Sequence, residues 1–88
     1  MKLKEGFMLH NVGDEHMGIA TGKAAQAFHG LVRNNETADF ICRQLLKDTT
    51  LEQVAEALCG EYDVNYETAL TDVRALVKKL DAAGLLEQ

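Results

Sequence analysis

Residues 50–60 read Thr50-Leu51-Glu52-Gln53-Val54-Ala55-Glu56-Ala57-Leu58-Cys59-Gly60. Thr50 is a good helix N-cap, and Gln53 three positions on completes a capping-box pattern, in which each side chain satisfies a backbone N–H of the first turn. Leu51, Val54, Ala55, Leu58 and Cys59 recur at the spacing of one helix face. Gly60 reads as the residue just past the end. The pattern predicts a helix over 51–59. One apolar stripe cannot bury itself, so the flanking sequence must supply its partners.

Both flanks do so. Upstream, Asn35 is an N-cap and Glu36 puts negative charge in the first turn. Ala38, Ile41, Cys42, Leu45 and Leu46 form a second stripe, widened by Phe40, and Lys47 suits a helix C-terminus. A helix over 36–47 follows, turning at Asp48 and Thr49. Downstream, Tyr62 and Val64 are expected to pack inward from a connector, and Asn65 caps a long helix over 66–83. Its apolar set is broad: Tyr66, Ala69, Leu70, Val73, Leu76, Val77, Leu80 and Ala83. Gly84 stops it, and Leu85 and Leu86 can fold back on the core.

The N-terminal part differs in character. Residues 1–34 hold five of the seven glycines. Two strand-like runs, 7–12 and 16–21, flank a polar connection at Gly13-Asp14-Glu15, which suits a hairpin. Phe7, Leu9 and Asn11 share one face, with Met17 and Ile19 expected opposite. Residues 22–26 are expected to be a loop. A third run, Ala27-Phe28-His29-Gly30-Leu31-Val32-Arg33, ends at Asn34-Asn35, with Gly30 as a possible bulge. The order is thus three strands followed by three helices, with no helix before residue 30 and no strand after residue 50. That is a single α+β domain over 1–88, winged helix-turn-helix-like, with a three-stranded antiparallel sheet.

Composition narrows the function. Apolar residues make up 47% and charged residues 26%, as in an ordinary soluble domain. No apolar run approaches the ~18 residues of a membrane span, and no signal segment is visible, so the expected location is cytoplasmic. Nine Lys and Arg face fourteen Asp and Glu, for a net charge of −5. That balance disfavours a nucleic-acid partner. Cys42 and Cys59 form no C-x-x-C pair and fall on apolar helix faces, where reduced, slow-reacting thiols are expected.

Catalysis finds little support. Serine is absent, and no glycine-rich phosphate loop or H-E-x-x-H motif occurs. His10 and His16 can face each other across the hairpin, but two cross-strand histidines are more often surface residues than metal ligands. No catalytic residue, metal or cofactor is assigned. Two features ask for more than a structural explanation. The third strand would lie at a sheet edge, where it is either blunted by its shortness and Arg33 or open to an incoming strand. The broad stripe of the last helix either packs on all its neighbours or, around Leu70, Val73 and Val77, walls an apolar groove beside that strand.

The ordered set of motifs resembles the PqqD-like family. The residues that carry the resemblance are Asn35 and Thr37 at the start of the first long helix, Thr50, Glu52, Gln53 and Val54 in the second, Tyr62 and Val64 in the connector, Asp72-Val73, Leu76 and Leu80 in the third, and Gly84-Leu85-Leu86 after it. The run Gly6-Phe7-Met8-Leu9-His10-Asn11-Val12 fits the family's first strand, so the likeness covers nearly the whole chain. The resemblance implies a precursor-peptide recognition element. Such a module binds the leader of a ribosomally made peptide and presents it to a modifying enzyme, often a radical SAM maturase. It also implies that the leader adds a strand along Phe28, His29, Gly30, Leu31, Val32 and Arg33. The cleft wall would then be Leu70, Val73, Arg74 and Val77. The expected state is a monomer or weak dimer.

Two rival functions make different demands on the sequence. A winged-helix DNA-binding regulator would want a basic recognition helix, yet residues 51–59 contain no Lys or Arg. A structural interaction domain without a peptide ligand would be favoured if the chain's own termini covered the third strand.

Overall fold

A computed structural model describes residues 1–27 and 31–87. The core is as expected: an antiparallel sheet of three strands, β2 (Phe7–Val12), β3 (Glu15–Ala20) and β4 (Leu31–Asn34), followed by three helices, α2 (Glu36–Gln44), α3 (Leu51–Glu61) and α4 (Tyr66–Ala82). Two elements depart from expectation. Residues 22–27 form a short helix, α1 (Gly22–Ala27), instead of a loop running into a strand. Ala24 is fully buried there, and the Thr21 carbonyl accepts from the N–H groups of Ala24 and Ala25, so burial of one small side chain fixes the turn. There is also strand after residue 50, because β1 (Lys2–Leu3) pairs antiparallel with β5 (Leu86–Glu87) in a separate two-stranded ribbon. Phe28, His29 and Gly30, which were expected to begin the third strand, lie outside the described residues.

The three long helices are capped where the sequence places the caps. The Asn35, Thr50 and Asn65 side chains accept from the N–H groups of Ala38, Gln53 and Thr68 at 2.7, 3.1 and 2.8 Å. The C-terminal ends differ from the expected ones. α2 stops short of Lys47, because the carbonyl of its C-cap residue Leu45 accepts from the N–H of Leu3 at 2.8 Å. α3 runs through Gly60 to Glu61. Tyr62 holds this last turn: its N–H donates to Leu58, its ring meets Phe40 edge-on at 5.6 Å, and its hydroxyl donates to Glu36.

The buried stripes meet in one core. Ile41, Cys42 and Leu45 of α2, Val54, Ala55 and Leu58 of α3, and Ala69, Val73 and Leu80 of α4 join Phe7, Leu3, Leu85 and Leu86. Leu46, Val64 and Tyr66, expected inside, are exposed. Cys59 is only half-buried.

The hairpin register corrects the expected pairing. Val12 pairs with Glu15, so the turn has two residues, Gly13 and Asp14, with Gly13 at φ +59°. A positive φ in the first central position is what a tight hairpin turn with leading glycine needs. Phe7, Leu9 and Asn11 consequently pair with Ala20, Gly18 and His16. Met17 and Ile19 fall on the other face, with His10 and Met8, because shifting the pairing by one residue turns every side chain over.

Candidate functional site

The register also determines which groups of β4 are open. In a two-residue hairpin the residues flanking the turn form the first hydrogen-bonded pair, and such pairs alternate along the ladder. The Thr21 N–H donating to the Gly6 carbonyl at 2.9 Å lies on the same alternation. Glu15, Met17 and Ile19 therefore bond to β2, whereas His16 and Gly18 bond to β4 through Asn34 and Val32. The main-chain N–H and C=O groups of Leu31 and Arg33 point away from β3, along an edge that no described strand covers. Their side chains lie on the outer face of the sheet, and those of Val32 and Asn34 lie on the inner face.

Beside this edge, between β4, the start of α2 and the last turns of α4, runs a trough of about 380 Å³. Phe7, Cys42, Leu80 and Leu85 line its apolar base; Val32, Arg33 and Asn34 line it from the strand; Leu76, Lys79 and Ala83 line it from the helix. It adjoins a second depression of about 360 Å³, reached by Thr37, Asp72 and Ala75, and the two share Asn35, Ala38, Leu76 and Lys79. Small side chains at 38, 75 and 83 leave room between strand and helix.

The four residues expected as the cleft wall do not line this trough. Val73 is fully buried, Leu70 and Val77 are half-buried against the core, and Arg74 is exposed; none of the four lines either cavity. At about 100° per residue, the row that does face β4 lies about 140° around α4 from the expected one. Leu76, Leu80 and Ala83 were in the apolar set of this helix. Its width was the signal, but periodicity could not assign the two sides of a stripe that packs in two directions.

A polar cluster fixes α2 to the hairpin. Arg43 donates through Nε to Asp39 Oδ2 at 2.8 Å and through its terminal nitrogen to Asn11 Oδ1 at 3.0 Å. His16 Nδ1 stands 3.4 Å from the same Asp39 oxygen. His10 and His16 lie on opposite faces of the hairpin, so they do not face each other. Among the described residues, no three His, Cys, Asp or Glu side chains come together as metal ligands would. Below the trough, burial first and the Asp39 charge second push the Cys42 thiol up to about 12. The exposed side of α3 carries Glu52, Gln53 and Glu56 and no Lys or Arg. No described helix is long and apolar enough to cross a membrane.

No curated protein matches the sequence. Two solved structures share the fold over 99% of this chain. One is TbiB1 in complex with the TbiA(beta) leader peptide, with a TM-score of 0.77, 22% identity and 95% of that chain covered. The other is a lasso peptide synthetase B1 complexed with the leader peptide, with a TM-score of 0.74, 24% identity and 96% covered. The family profile described as coenzyme PQQ synthesis protein D (PqqD) matches residues 8–86, nearly the full length, and the chain belongs to the PqqD family.

Proposed function

We propose that this chain is a non-catalytic module that binds the leader of a ribosomally made precursor peptide by strand addition along β4. It would present the leader to a modifying enzyme, of the radical SAM class on the family relationship. The observation that carries this is the open edge of β4 directly beside a partly apolar trough. Strand addition needs both parts: free main-chain groups for affinity, and pockets at alternate positions for selectivity. Membership of the PqqD family and the leader-bound state of two proteins of the same fold support it. The ligand site is then Leu31, Val32 and Arg33 with the α4 row Leu76, Lys79 and Ala83.

The test is titration calorimetry with leader segments of short peptides encoded in the same genome, those nearest this chain's gene first. Leu31→Pro removes an outward-facing N–H and should weaken binding at least tenfold. Leu76→Asp puts a carboxylate on the trough wall and should do the same. Glu67→Ala, on the exposed side of α4, should change little. Circular dichroism checks the folding of each variant. Unchanged affinity in folded Leu31→Pro and Leu76→Asp would remove β4 and the trough as the site.

A further inference from the structure

In a chain of net charge −5, two cations border the trough: Arg33 on the strand and Lys79 on the helix. Both are exposed, and neither has an ion-pair partner among the described residues. The site is also graded along its length. Val32 pairs with Gly18, whose missing side chain is replaced by the Phe7 ring, so that end is apolar. Asn34 and Asn35 make the other end polar, and the Lys79 cation stands at it, with the Asp72 carboxylate farther off in the adjoining depression. On the outer face, Leu31 continues a cross-strand row with Ile19 and Met8, all exposed, and Arg33 continues one with Met17 and His10.

We infer that the peptide taken by this site carries two consecutive acidic residues followed by two apolar ones, read alternately by the two faces of the extended sheet. The inference rests on strand addition along β4. An antiparallel ligand meets Asn34, Arg33, Val32 and Leu31 in its own N-to-C order, and residues directly opposite share a face. The residue opposite Asn34 points into the polar end of the trough, where Lys79 receives a carboxylate. The next, opposite Arg33, lies on the outer face and pairs with the guanidinium. The third, opposite Val32, fills the apolar end above Phe7. The fourth, opposite Leu31, extends the exposed apolar row on the outer face. Charge complementarity thus sets the register: a slip of one residue in one direction places an acid in the apolar end of the trough, and a slip in the other direction sets an apolar side chain against Arg33 and leaves its guanidinium unpaired.

The test uses ribosome display of random twelve-residue peptides against the intact protein, then anisotropy with the labelled consensus peptide. The expected consensus is acidic-acidic-apolar-apolar. Arg33→Glu and Lys79→Glu should each weaken it about fivefold or more at low ionic strength, with the effect shrinking in high salt. Lys78→Glu, a cation on α4 outside the trough, should leave affinity within twofold. A consensus with apolar anchors but no acid enrichment overturns this inference and leaves strand addition standing. So does indifference to both charge reversals. If no peptide is enriched, or if the consensus peptide binds Leu31→Pro as well as wild type, both the inference and the strand-addition reading fall.

Discussion

Gly18 occupies the middle of a central strand, where glycine is ordinarily a weak choice, and the fold makes Gly18→Ala a demanding test of the trough. A Cβ at this position would lie 2.3 Å from Phe7 Cζ and 2.8 Å from Phe7 Cε2. Carbon atoms at rest sit about 3.5–4.0 Å apart. Phe7 is buried and lines the base of the trough, so its ring must shift. Overpacking of this kind costs about 1–3 kcal/mol. Removing glycine from a strand returns about 0.5–1 kcal/mol. The net is a destabilisation of roughly 1–2 kcal/mol, or a drop of about 5–15 °C in Tm for a domain this size. Thermal unfolding followed by circular dichroism measures it. Phe7→Leu, which shortens the ring, should rescue part of the loss, so that the double variant is more stable than the two single effects predict by about 1 kcal/mol. A Tm unchanged or raised in Gly18→Ala would refute the reasoning, as would simple additivity in the double variant.

Further expectations are smaller. Thr50→Ala removes the acceptor of the Gln53 N–H and should cost about 1 kcal/mol, read as a Tm lower by roughly 5 °C. Cys42 should resist thiol reagents at pH 8 in the folded protein, with half-buried Cys59 reacting first; mass mapping of the labelled peptides decides this. The Cys42 thiol is raised from 9.0 to about 12, so the proton it keeps in the fold is lost sooner on unfolding. Its stabilising contribution is complete below about pH 9 and is lost as pH rises toward about 12, amounting to about 2 kcal/mol by pH 10.5. Wild type should therefore lose more stability than Cys42→Ala between pH 8 and 10.5 in parallel urea titrations; equal slopes would count against the shift.

What the sequence revealed follows the range of the forces involved. Asn35, Thr50 and Asn65 marked the three helix starts because a cap is satisfied within three residues of itself. The helix ends were less legible: Leu45 is held by Leu3 and Tyr62 by Phe40, contacts from distant sequence. The hairpin was visible, but Met17 and Ile19 went to the wrong face, since one residue in the turn decides the register and alternation alone does not supply it. The edge position of β4 followed from strand order. The wall of the trough did not, because α4 is apolar toward both α3 and β4, and only the packed structure separates Val73 from Leu76.

The ribbon of β1 and β5 joins Lys2 to Glu87 and Leu3 to Leu86, nearly the whole chain apart. Bringing such distant segments together in a disordered chain carries a loop-closure entropy of roughly 4 kcal/mol, beyond what two residue pairs return. The ribbon therefore forms only after the helices have already brought its strands side by side, and it contributes nothing to the early steps of folding. With only two residue pairs, it is expected to open before the middle of α4 does. Amide exchange at Lys4, whose N–H donates to the Leu85 carbonyl at 2.8 Å, should run ahead of exchange in the middle of α4 and report this local release.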